Sequence, residues 1–177
     1  MQPSIKLLGV TFDQELSFKA HIAAKSRLAG LAMCNLIKLR RYLDQKSCLK
    51  IANALILSHF DYCNSVLVNL PKSTLYPFQR IQNITAKVII GASKFSSSTE
   101  ALKQLHMLPI RVRAEFKVLV MVYKCVHGLA PSYLAELLKE KPSCRATLAG
   151  SRALLEIPRT KYSSFADRSF SVVGPTL

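Results

Sequence analysis

A mainly α fold, a helical bundle with a short N-terminal strand and an irregular C-terminal tail, is what this sequence predicts. Three observations predict it. From residue 17 to about residue 140 the apolar residues recur at helical spacing. Capping residues, prolines and glycines fall where that spacing breaks. Half of the 177 residues are hydrophobic, enough for a sizeable core in one domain or a compact domain with a tail. The expected division is a strand segment over 1–16, a helical domain over 17–140 and a basic, partly ordered tail over 141–177.

Ile5 to Phe12 is a short apolar run with Gly9 inside it, suited to a strand at a sheet edge or in a hairpin. From Ser17, a candidate N-cap, the period becomes helical, with Phe18, Ile22, Ala29, Met33, Leu36, Leu39 and Leu43 on one stripe. Lys19, Arg27, Lys38 and Arg41 fall away from the stripe. Lys25 and Arg40 fall on it and have to snorkel from its edge. Gly30 weakens the middle of this helix.

A second helix is expected over 45–68, capped by Asp44 or Ser47 and carrying Leu49, Ala52, Leu55, Ile56, Phe60, Cys63 and Leu67. Residues 69–73 read as a loop, because Pro71 disfavours helix at the residue before it. A third helix follows over 74–90, with Pro77 in its first turn, Leu75, Phe78, Ile81, Ile84, Val88 and Ile89 as apolar content, and Gly91 as its stop. Ser97 to Glu100 has capping-box spacing for a short helix through about Leu105. Pro109 suits the first turn of a helix over 109–127 that Gly128 terminates, and Pro131 opens a last one to about Lys139. After Pro142 the composition shifts to Ser, Arg and Thr, with short apolar pieces at 153–155 and 170–173.

The formal net charge is +15, and between Ser17 and Thr99 only Asp44 and Asp61 are acidic, against twelve Lys and Arg. Such an excess favours a polyanionic partner, most simply nucleic acid, through phosphate neutralisation and counterion release. The five cysteines include no Cys-x-x-Cys pair and read as small buried apolar residues. No apolar run approaches the ~18 residues of a membrane span and the first residues do not open a secretory signal, so no membrane association and an intracellular place, cytoplasm or nucleus, are expected.

No motif carries chemistry by itself. His59 and Cys63, four apart, make half of a metal site at most and are read as packing residues at a helix interface. Asp61, flanked by Phe60 and Tyr62, is read as the partner of a Lys or Arg from a neighbouring helix. Gly91 to Phe95 lacks the second glycine of a nucleophile elbow, and there is no phosphate-binding Gly-x-x-x-x-Gly-Lys loop. No cofactor and no metal site are expected.

Several phrases, in order along the chain, carry a resemblance: Leu8-Gly9-Val10-Thr11-Phe12-Asp13, Asp61-Tyr62-Cys63-Asn64-Ser65, Leu70-Pro71-Lys72-Ser73-Thr74, Arg80-Ile81-Gln82-Asn83, Leu105-His106-Met107-Leu108-Pro109, Tyr123 to Pro131 and Arg168 to Pro175. Together they resemble the region just after the polymerase core in reverse transcriptases of non-LTR, LINE-like, jockey-type retrotransposons. Met107 stands where that family's phrase usually has Trp.

The resemblance implies a thumb-like helical region, a strand over 1–16 left from the closing of the catalytic palm, and a fragment derived from an RNA-directed DNA polymerase. Polymerisation needs a carboxylate cluster holding two divalent metals. The family carries it on a Tyr/Phe-x-Asp-Asp turn, which is absent here, where Asp13, Asp44, Asp61 and Asp167 are scattered singly. The chain is therefore expected not to be an enzyme on its own and at most to hold RNA or DNA without sequence preference. Thumb helices track duplex backbones, where Lys and Arg touch phosphates without reading bases. Arg27, Lys38 and Arg41 are the leading contacts, with Lys19 and Arg40 next. The rival readings are a helical interaction module whose basic face meets an acidic protein, and an accessory part of a polymerase completed by another chain. The strand over 5–12 and surfaces facing a palm would promote self-association.

Overall fold

The computed structural model describes residues 4–140, 155–159 and 166–177. The chain has two compact units, Met1–Ala114 and Glu115–Leu177. The described part is mainly α, as the periodicity predicts.

The first unit opens with a hairpin. Strands β1 (Ser4–Leu7) and β2 (Val10–Asp13) pair antiparallel with Leu7 opposite Val10. The single strand expected over 5–12 is thus two strands joined by Leu8-Gly9, both at positive φ (47° and 79°). That is the two-residue turn whose twist matches the flanking strands, and Gly9 meets its conformation without a Cβ penalty. Tyr62 holds the turn from outside, its hydroxyl donating to the Leu8 carbonyl at 2.6 Å.

Helix α1 (Lys19–Leu39) follows. The cap position is Phe18, in the left-handed region at φ 56° with no side-chain cap bond. Ser17, one residue before it, accepts the Lys19 amide on its hydroxyl at 3.5 Å, and is also bound to Asp13, its amide donating to Oδ1 at 2.6 Å and its hydroxyl to Oδ2 at 3.0 Å. Leu16 and Phe18, both at positive φ, cost roughly 1–2 kcal/mol each in backbone strain. The offset is the burial of Phe18, whose ring meets Phe12 edge-on at 5.6 Å. Of the expected stripe, Phe18, Ile22, Ala29 and Leu36 are buried and Met33 and Leu43 half-buried, while Leu39 is exposed.

A 3-10 turn (Arg40–Tyr42) ends this stretch, and α2 (Gln45–Ala52) begins under Asp44, whose carboxylate accepts from the Lys46 and Ser47 amides. The 45–68 helix expected from spacing is broken twice. A π segment (Asn53–Leu57) inserts an extra residue, and α3 (Ser58–Asp61) ends where Cys63 takes φ 53° before a 3-10 turn (Asn64–Leu67). The insertion turns Leu55 outward and brings Ile56, Leu57 and Phe60 into the core.

Helix α4 (Lys72–Ile90) starts two residues before the expected Thr74, because the Pro71 carbonyl receives the Thr74 and Leu75 amides. Pro77 consequently sits in the second turn, where the carbonyl it leaves unpaired belongs to exposed Ser73. Gly91, at φ 72°, stops the helix in a Schellman motif: its amide donates to Val88 and that of Ala92 to Lys87. The core forms where α1, the α2–α3 stretch, α4 and α5 (Ser98–Gln104) meet, with Phe60 and Phe78 ring centroids 4.6 Å apart. Ser97 caps α5 through the Glu100 amide as its spacing predicts. Pro109 sets the first turn of α6 (Ile110–Val126) by accepting the Arg113 amide at 2.9 Å.

In the second unit α6 ends at Gly128, again with Schellman bonds, Gly128 to Cys125 and Leu129 to Lys124. Helix α7 (Ser132–Ala135) is shorter than the expected run to about 139. The tail, read as irregular, holds a further helix, α8 (Phe170–Thr176). A Cβ at Gly174 would lie 2.9 Å from Val122 and 3.3 Å from Leu138, so the glycine lets α8 approach both side chains. The apolar piece at 153–154 lies outside the described residues, while Leu155 pairs with Glu140. Among the described residues no helix is long and apolar enough to cross a membrane.

Candidate nucleic-acid interface

Lys19, Arg27, Lys38 and Arg41 are all exposed. At ~100° and 1.5 Å per residue, Lys19, Arg27 and Lys38 fall within a sector of roughly 100° on α1 and span about 28 Å along the axis; Arg27 and Lys38 lie opposite the buried Ile22, Ala29 and Leu36, while Lys19 borders that stripe. Arg41 extends this row into the 3-10 turn, its guanidinium 4.7 Å from the centroid of the exposed Tyr42 ring. Such a row can meet phosphates of a duplex.

Arg40 has a different employment. It is half-buried, and its Nε donates to the Val88 carbonyl at 2.8 Å, Nη2 to Ile89 at 3.1 Å and Nη1 to Leu43 at 2.8 Å. Two of its donors therefore reach the C-terminal end of α4, at Val88, which also accepts the Gly91 amide, and at Ile89, where the helix dipole is negative. The snorkelling expected from its place on the stripe is replaced by this capping.

Phrases that carry the resemblance meet at Tyr62 with Leu8 and at Gln82 with Leu108, and other contacts surround them. Asp61 receives Arg113 in a two-pronged ion pair, as the reading of Asp61 anticipates. Gln82 of α4, wholly buried, donates to the Leu108 carbonyl at 2.9 Å, and Gln79 accepts the Ile110 amide at 2.9 Å. Gln79 donates in turn to Gln82 and Asn83. The Arg80-to-Asn83 phrase thereby clamps the turn written by Leu105 to Pro109. Within that turn His106, at φ 52°, occupies the left-handed stop of α5, its amide bonded to Lys103 and that of Met107 to Leu102. Periodicity singles out Ile81, Ile84 and Val88, which are half-buried. The buried line of α4 is Leu75, Phe78, Gln82, Thr85 and Ile89.

Of the aspartates, Asp13 is bound to Ser17, Asp44 caps α2 and Asp61 holds Arg113. His59 and Cys63 do not share a helical face, since Cys63 lies beyond the end of α3. Among the described residues no three His, Cys, Asp or Glu come together as a metal site. Cys48 and Cys125 are buried as expected, but Cys34 and Cys63 are exposed, and Cys144 lies outside the described residues. Burial pushes the Cys48 thiol up and holds the His21 and His59 imidazoles below their usual range, with the Lys25 charge adding to both histidine shifts. His21 is nearly inaccessible, its Nδ1 accepting the Thr11 amide at 3.3 Å.

Comparison with models of known families, with curated proteins and with solved structures finds no match for this chain.

Proposed function

We propose that this chain is a thumb-like module derived from a non-LTR retrotransposon reverse transcriptase, holding RNA or DNA by its backbone without reading sequence and performing no polymerisation by itself, in the cytoplasm or nucleus. The observation that carries the binding half is the exposed row of Lys19, Arg27 and Lys38 on α1, off its buried residues and continued by Arg41 in the following 3-10 turn. The ordered phrases support the ancestry. Their meeting in the Tyr62–Leu8 and Gln82–Leu108 bonds fits parts kept for architecture. The absence of a Tyr/Phe-x-Asp-Asp turn from the sequence supports catalytic silence, because that turn supplies the metal carboxylates of the family.

Two measurements test the reading. Binding to unrelated RNA and DNA duplexes should be similar in strength and fall steeply with salt. Primer extension on an RNA template with Mg²⁺ or Mn²⁺ should not exceed a mock-purified control. Strong preference for one sequence would overturn the first half, and incorporation above control the second.

A further inference from the structure

Two aromatic rings of the first unit stand in water instead of in its core. Tyr42 is 71% exposed, and Phe95, at 86%, is the most exposed large hydrophobic side chain among the described residues. Both follow the C-terminal ends of helices, Tyr42 in the 3-10 turn after α1 and Phe95 in the loop between α4 and α5. Arg40 joins the two segments: its donors reach the Val88 and Ile89 carbonyls, and its Nη2 lies 3.6 Å from where a Cβ at Gly91 would stand. The backbone beneath each ring is tied. The Leu43 amide donates to the Arg40 carbonyl at 3.2 Å while Arg40 Nη1 donates to the Leu43 carbonyl at 2.8 Å, which brackets Tyr42. In the loop the Ser93 carbonyl accepts the Ser96 amide and hydroxyl, the Ser93 hydroxyl accepts the Phe95 amide at 3.3 Å, and Lys87 Nζ donates to the Lys94 carbonyl at 2.9 Å. A ring held outward by the hydrogen bonds of its own turn is ordered before any partner arrives.

Each ring also carries a cation. The Arg41 guanidinium lies 4.7 Å from the Tyr42 centroid and Lys94 Nζ 4.8 Å from that of Phe95. Over residues 38–46 and 87–100 six Lys and Arg stand against two acids, Asp44 and Glu100, and the Asp44 carboxylate already accepts the Lys46 and Ser47 amides. An open aromatic face beside a cation suits an unpaired nucleotide, whose base stacks on the ring while its phosphate meets the charge. Bases inside a duplex are stacked on one another and cannot use such a ring. We propose that Tyr42 and Phe95 stack unpaired bases of single-stranded RNA or DNA, with Arg41 and Lys94 on the flanking phosphates. The proposal rests on the reading that nucleic acid is the partner, and adds that the row on α1 ends, beyond Arg41, at a place for single strand. Stacking of this kind is tolerant of sequence, because every base has a π-face. A second copy of the chain fits poorly, since it would bring two basic ends together.

The test titrates the full chain into three fluorescein-labelled probes at one salt concentration: a mixed-sequence single strand of about 15 nucleotides, an abasic strand with the same number of phosphates, and a blunt duplex. The base-bearing strand should bind at least about fivefold tighter than the abasic one. Tyr42→Ala with Phe95→Ala should bring the two strands to equal affinity and leave the blunt duplex unaffected. Circular dichroism should stay unchanged, because both side chains are mostly exposed. The chain has no tryptophan, so Phe95→Trp supplies a single reporter, whose emission should fall with the base-bearing strand and not with the abasic one. Equal affinity of the unaltered chain for the two strands would overturn the proposal while leaving duplex binding by the α1 row standing. So would a base preference untouched by the double alanine variant. A base preference without any duplex binding would support the rings and overturn the row. Sedimentation showing a dimer that Tyr42→Ala with Phe95→Ala dissociates, without a base preference, would assign the rings to a second copy instead.

Discussion

Asp61 and Arg113, 52 residues apart, are joined by two parallel hydrogen bonds, Nε to Oδ1 at 2.8 Å and Nη2 to Oδ2, which tie the end of α3 to the first turn of α6. Their side chains are 37% and 24% exposed, so the pair is neither a solvated surface contact nor a buried one. Replacing Asp61 by Asn should cost about 1–2 kcal/mol, between the values for exposed pairs and for bonds to charged groups. Arg113→Lys should lose most of the same amount, since an ammonium cannot supply the planar fork. Urea unfolding of both single variants and the double gives the coupling energy. A value near zero would show that the pair does not hold the two elements together.

Gln82 tests whether the clamp on the Leu108 turn is structural. Gln82→Leu keeps the volume but leaves the Leu108 carbonyl without its donor and one Gln79 amide proton without its acceptor. Loss of a buried partner of this kind costs roughly 1–3 kcal/mol. The expected readout is a lower urea midpoint, with faster amide exchange at Ile110, whose N–H depends on Gln79. Equal stability would mean that apolar burial at position 82 compensates fully.

The contrast between Gln82 and Gly91 shows what was legible. Local signals act through the backbone next to them, so Asp44, Ser97, Pro109, Gly91 and Gly128 mark real boundaries. What escaped depends on residues far apart in the chain. Gln82 occupies a core position because a carbonyl 26 residues on needs a donor, and polarity alone places it outside. Arg40 looks like another cation of a basic helix until α4 presents its carbonyls to it. The π segment at Asn53–Leu57 carries no glycine or proline to announce it, and α8 contains both Gly174 and Pro175, which argue against a helix locally. The row on α1 was legible because it needs only helical periodicity and exposure.

His21 makes stability depend on pH. In the folded protein its imidazole is held neutral by burial, with Lys25 adding repulsion, and the neutral Nδ1 accepts the Thr11 amide. Its folded pKa lies below the unfolded value, so below about pH 6.5 the unfolded chain binds the proton more readily. Stability is therefore present above that pH and declines as pH falls through the unfolded pKa toward the folded one. His59, shifted in the same direction by the same two causes, adds to the decline. Urea midpoints at pH 7 and pH 5 should differ, and His21→Gln, which keeps an acceptor that does not titrate, should shrink the difference. An unchanged pH profile in that variant would place the dependence elsewhere.

The basic row and Arg40 make opposite predictions from similar side chains. Arg27, Lys38 and Arg41 are exposed, and none lies on the buried stripe of α1. Changing all three to Gln, a good helix former, should leave the fold intact. If they meet phosphates, affinity for unrelated duplexes should fall about equally, and the slope of log affinity against log salt should become shallower by up to about two to three units on B-form DNA. Arg40→Gln should do the reverse: it removes donors from the Val88, Ile89 and Leu43 carbonyls and so lowers stability, roughly 1–3 kcal/mol for bonds to a charged group, while the salt slope stays the same. The pair of experiments separates charge used for binding from charge used for capping. An unchanged salt slope in the triple variant, with circular dichroism intact, would show that the row on α1 is solvated and that nucleic acid is held elsewhere or not at all.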